Sequence, residues 1–126
     1  MKFQTLMVIK AVVCLSLGVP ILLAPVFLYS LFGASLNPGG VFAAREYGAS
    51  LIGNMLLTWF ARNAIDSDAR RAIVLHLCVY DAVAFVITLM AQFTGVLGPL
   101  GWFAAAIYLF FAIGFGYFLL AQRKMA

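Results

Sequence analysis

Four long apolar stretches fill almost the whole chain, and most formal charges fall in the short gaps between them, at their edges or at the chain ends. A hydrocarbon core of roughly 30 Å is crossed by about 20 apolar residues in a helix, because all backbone groups must be satisfied within the segment. The stretches predict spans at about 5–32, 41–62, 70–93 and 98–121. With 66% hydrophobic and 10% charged residues among 126, and a mean hydropathy of +1.10, no length remains for a soluble domain. The expectation is an all-α polytopic membrane protein: a single domain covering the chain, built as a four-helix up-down-up-down transmembrane bundle with the lipid bilayer as its surroundings.

The gaps carry the punctuation that such a bundle needs. The first span runs to a turn from Gly33 to Gly40, where Asn37-Pro38-Gly39-Gly40 supplies residues that favour positive or fixed φ. The second span ends at Arg62-Asn63, and Asp66-Ser67-Asp68 is placed to cap the N-terminus of the third. Thr94-Gly95 to Gly98-Pro99 closes the last hairpin, and Pro20 and Pro25 are expected to kink the first span. A cleaved leader is not expected, since Leu22 and Pro25 flank Ala24 unfavourably for cleavage and Val13 before Cys14 spoils a lipoprotein-type site.

Basic residues in short loops set orientation. Lys2, Arg62, Arg70, Arg71, Arg123 and Lys124 fall at the N-terminus, the middle gap or the C-terminus, which an even number of spans places on one side. Both termini are therefore expected in the cytoplasm of a bacterial-type inner membrane. The net charge of +4 is read as topology with some contact to anionic lipid, not as a nucleic-acid signature.

Polar side chains at membrane depth are the candidates for function, because holding them there costs several kcal/mol unless they find partners. Glu46, Ser50, Asn54 and Thr58 recur every four residues along one drifting stripe of the second span. Asp81, Thr88 and Gln92 share one face of the third, within roughly 20° of one another at 100° per residue. The two stripes are expected to face each other, with Asn54 level with Asp81 and Arg45 roughly 10 Å above it. Arg45, Glu46, Asn54, Asp81, Thr88 and Gln92 are thus the candidate ligand-binding residues. They form either a polar pocket around a buried carboxyl or an interhelical clamp that fixes register.

Other chemistry is sparse. His76 is the single histidine and lies about 140° round the helix from Asp81, unsuited to a catalytic dyad. Cys14 and Cys78 belong to no C-x-x-C or zinc spacing, and neither a phosphate loop nor a G-x-S-x-G is present. Catalysis by the chain alone is not expected and no metal site is implied; the cofactor is left open, with His76 able to supply a single axial ligand to haem or a chlorin or to pair with its copy in a dimer. Trp59, Trp102, Tyr29, Tyr47 and Tyr117 fall toward span ends, as in an interfacial belt. The last span forms an aromatic wall, from Trp102 and Phe103 through Tyr108, Phe110, Phe111 and Phe115 to Phe118.

The stretch Ala44-Arg45-Glu46-Tyr47-Gly48-Ala49-Ser50-Leu51-Ile52-Gly53, continuing to Leu57, Trp59 and Ala61-Arg62, resembles the second-helix signature of small bacterial four-helix membrane proteins of the DoxX-like kind. Pro25 and Phe32-Gly33 at the end of the first span fit the same pattern. The resemblance singles out Arg45, Gly48 and Gly53, and implies a link to quinone- or thiol-based membrane redox complexes. The leading expectation is a non-catalytic accessory or assembly subunit of a larger membrane complex, meeting other membrane subunits or copies of itself. The alternatives are a binder or carrier of a small hydrophobic ligand (lipid, quinone or pigment) in the polar pocket, and a component of a membrane redox system.

Overall fold

In the computed structural model, residues 1–125 are described, with side chains as far as Ala121; the side chains of Arg123 and Lys124, which entered the orientation argument, lie outside the described residues. The described chain forms five helices: α1 (Phe3–Leu23), α2 (Pro25–Leu31), α3 (Pro38–Phe60), α4 (Asp68–Phe93) and α5 (Gly101–Met125). Three segments are long and apolar enough to cross a membrane, Phe3–Leu23, Asp68–Phe93 and Gly101–Ala121. At 23 residues, or roughly 34 Å, α3 has the length. Its Arg45, Glu46 and Asn54 lower its apolarity.

The first apolar stretch is two helices, not one. Pro20 sits inside α1 without ending it, whereas Ala24 leaves the helical region at φ −142° and ψ 63°. The ring of Pro25 disfavours helical backbone in the residue before it, and Pro25 itself opens α2 at a position where its missing N–H is no loss. Asn37-Pro38-Gly39-Gly40 is not the turn expected. It begins α3, with Asn37 Oδ1 accepting from Gly40 N at 2.6 Å and Pro38 in the first helical turn. Within the expected turn from Gly33 to Gly40, the left-handed backbone is at Gly33 (φ 82°). Ser67 caps α4 by accepting from Arg70 N, and Asp68 lies in the first turn, as its dipole favours.

The helices pack as two antiparallel hairpins, α1 with α3 and α4 with α5. In the first, Gly18 and Gly48 bring the backbones together: a Cβ on Gly48 would lie 2.9 Å from Leu22 N and 3.1 Å from Gly18 O. The small-residue pair Ala49/Gly53 plays no such part, since Ala49 is exposed and a Cβ on Gly53 would meet nothing within 4 Å. Between hairpins, backbone approach is confined to α1 with α5, where a Cβ on Gly114 would meet Leu6, and to the loops at the opposite end.

Side chains do the rest. At the end where the chain starts, Leu6 and Met7 of α1 interlock with Val74 and Leu77 of α4 and with Phe111 and Phe115 of α5 in a fully buried cluster. At the far end, Gly98 N donates to Phe32 O at 2.7 Å, and a Cβ on Gly33 would strike Gly98 N at 2.7 Å. The expectation that α3 and α4 present facing polar stripes fails: their backbones nowhere come close.

Candidate functional site

The buried residues of α1 follow helical spacing through Leu6, Met7, Lys10, Ala11, Cys14, Gly18 and Ile21, which places a lysine on the inward face. On α4 the inward face carries Val74, Leu77, Asp81 and Thr88. These two faces meet in an ion pair, Lys10 Nζ to Asp81 Oδ1 at 2.6 Å, with side chains only 3% and 0% exposed. The register works because α1 and α4 run the same way, with the Arg70 guanidinium stacked over the Phe3 ring. From that level Asp81 lies about 16 Å deeper and Lys10 about 10 Å, a difference that a lysine stem can span.

The pair is desolvated by rings. Phe111 lies 4.5 Å and Tyr80 5.4 Å from Lys10 Nζ, so π faces replace part of the lost hydration. Asp81 Oδ2 is buried without a hydrogen-bond partner among the described residues. The carboxylate is therefore held on one oxygen only.

Immediately beyond the ion pair toward the far end lie four tyrosines. The hydroxyls of Tyr47 on α3 and Tyr108 on α5 are hydrogen-bonded, tying together two helices whose backbones do not touch. The Tyr80 hydroxyl is buried close to that of Tyr47. Tyr29 is brought alongside by α2, so the break at Ala24 serves to aim it inward.

Tyr29, Tyr47 and Tyr108 head a cavity of about 390 Å³, otherwise lined by Leu17, Ile21 and Leu28, by the far-end loops and by Ile87, Thr88 and Ala91 of α4. That volume lies in the range of small-molecule pockets, and so does the combination of apolar walls with few hydroxyls. A second space of about 420 Å³ runs along α4 past Val79, Tyr80, Val83 and Ala84.

The sequence candidates scatter against this geometry. Asp81 is at the ion pair, and Thr88 lines both spaces while its hydroxyl donates to Ala84 O at 2.8 Å. Gln92 Nε2 donates to Gly98 O at 3.0 Å, bracing the α4–α5 turn. Asn54 is buried on α3, where its backbone O accepts from Thr58 Oγ1. Arg45 and Glu46 are exposed on the outside of α3, and Asp81 pairs with Lys10 instead of Arg45. The drift of a four-residue stripe explains the split, because about 40° per step carries Glu46 and Ser50 outward while Asn54 and Thr58 turn in.

Lys10 is the residue that sequence reasoning missed. A lysine within an apolar span is itself the signal of a buried partner, and that signal was present in the sequence. Tyr47, Tyr80 and Tyr108 were legible as aromatics, and nothing in their spacing tells a cavity-lining tyrosine from a belt residue. His76 is exposed with its ring 6.1 Å from that of Tyr80, and Cys14 and Cys78 are free thiols. No group of three metal-ligating side chains forms among the described residues.

Fold and site together define a helical protein of the membrane class, with an interior ion pair beside a hydroxyl-lined cavity. Compared with family models, curated proteins and solved structures, the chain matches none.

Proposed function

We propose that this protein binds a small hydrophobic ligand within the membrane, in the cavity headed by Tyr47 and Tyr108. The observation that carries this reading is the hydroxyl pair set in otherwise apolar walls, at a volume suited to a ligand. In this reading α3 is the fourth crossing of a four-helix transmembrane bundle, lying in a bacterial-type inner membrane with both termini cytoplasmic. Its length and the basic residues at Lys2, Arg62, Arg70 and Arg71 support that arrangement. The site residues are then Tyr29, Tyr47, Tyr108 and Thr88, with the Lys10–Asp81 pair lying behind the wall and not on it. Arg45 and Glu46, exposed on α3, have no part in it.

The test is isolation in native nanodiscs with mass spectrometry of retained small molecules. One defined hydrophobic compound, enriched over bulk lipid and lost in Tyr47→Phe/Tyr108→Phe, is the expected result. Retention of nothing beyond bulk lipid would remove the proposal.

A second reading, an accessory subunit of a membrane complex of the kind the DoxX-like resemblance implies, draws on the exposed aromatic row Trp102, Phe103, Phe110 and Tyr117 along α5. A stoichiometric membrane partner in the same isolation would favour it.

A further inference from the structure

We infer that the ligand is a long-chain lipid with an uncharged, oxygen-bearing head, and that it reaches the site sideways from the bilayer through the gap between α3 and α4. This deepens the proposed function and rests on it.

Access is set by the shape of the two spaces. They share Tyr29, Tyr47, Ile87, Thr88 and Tyr108, so they adjoin at that wall and together form the path proposed here. The second space follows α4 past Val79, Val83 and Ile87, which are 52%, 52% and 59% exposed on the outer surface. These residues lie in the middle of an apolar, membrane-length helix, where what they face is hydrocarbon. The gap is an outcome of the packing, since α3 pairs with α1, and α4 with α5, leaving α3 and α4 apart. At the opposite end the Phe32–Gly98 backbone bond and the Gly33 contact join the loops across the mouth. From Val79 to Ala91 the channel follows α4 for roughly 18 Å, a length that suits an extended chain and not a compact solute.

Head chemistry is set by the lining. The polar groups on the channel wall are neutral hydroxyls, and neither space is lined by a charged residue. The nearest cation, Lys10, is already neutralised by Asp81 behind Tyr80. A phosphate head would lose its water without gaining a counter-charge, and an ammonium head would meet no acid on the wall. An ester, alcohol or quinone-type oxygen loses little and gains a donor. The Tyr80 hydroxyl, buried on the wall of the second space beside Tyr47, is placed to supply it.

The experiment uses full-length protein in nanodiscs with photoactivatable probes of matched acyl chains: diacylglycerol, phosphatidic acid, and glycerol monoacetate as a soluble head without a chain. Diacylglycerol is expected to label residues of the α3/α4 gap about tenfold above phosphatidic acid, and excess glycerol monoacetate is expected to leave that labelling unchanged. Tyr80→Phe should lower labelling about fivefold with melting unchanged. Ala84→Phe, which fills the second space, should block it. Equal labelling by phosphatidic acid, or competition by glycerol monoacetate, overturns the inference while leaving a ligand cavity in place. Labelling by no probe, with no native ligand retained, removes both.

Discussion

Lys10 Nζ and Asp81 Oδ1, 2.6 Å apart, join α1 and α4, two helices whose backbones nowhere approach closely. The contact between hairpins at mid-depth thus depends on side chains, and an ion pair forms its centre.

Removing one member of that pair leaves the other charge buried and uncompensated. Lys10→Met or Asp81→Asn should each destabilise the protein by about 3–5 kcal/mol, read by denaturant unfolding in mixed micelles. The double variant Lys10→Met/Asp81→Asn should recover a large part of the loss. If the two single effects simply added, the two residues would not be acting as a pair.

The two glycines of the second-helix motif should behave oppositely. Gly48→Ala drives a Cβ against Leu22 N and Gly18 O and should cost about 1–3 kcal/mol. Gly53→Ala meets open space and should leave stability unchanged or raise it by up to about 1 kcal/mol. Thermal unfolding of the two variants side by side decides the matter.

Two positive-φ glycines give a second matched pair. Gly95→Ala, at φ 79° with nothing within 4 Å, should cost about 1–2 kcal/mol from backbone strain alone. Gly33→Ala carries the same strain and also strikes Gly98 N at 2.7 Å, so its loss should be clearly larger. Hydrogen exchange at the Gly98 amide, which donates to Phe32 O, should rise in Gly33→Ala and stay low in Gly95→Ala.

Pro25→Ala lifts the restriction on Ala24 and allows α1 to run on into α2. Circular dichroism should show slightly more helix. Because Leu28, Tyr29 and Phe32 would swing away from the cavity wall, retention of the bound compound should fall several-fold.

Helix positions were legible because length, apolarity and capping chemistry are local. Ser67 before α4 and the glycines of the last turn stand where the residues themselves require. Partner choice was not legible. The pairing of α1 with α3 depends on Gly18 meeting Gly48 across the sequence, and the pairing of Asp81 with Lys10 depends on that arrangement in turn. Depth counting alone set Asp81 level with Asn54 on α3 and roughly 10 Å below Arg45, since rise per residue gives level but not neighbour. The cavity was invisible for a similar reason: it lies where α2 departs from the α1 axis, and a hydropathy profile runs through Ala24 without a break.

The interlocked Phe111 and Phe115 at one end and the Phe32–Gly98 backbone bond at the other hold the two hairpins like a bracelet clasped at both ends. Its slack lies between the clasps, where α3 and α4 stand apart beside the cavity. Substitutions on that wall would retune what is held while the two closures keep the chain folded.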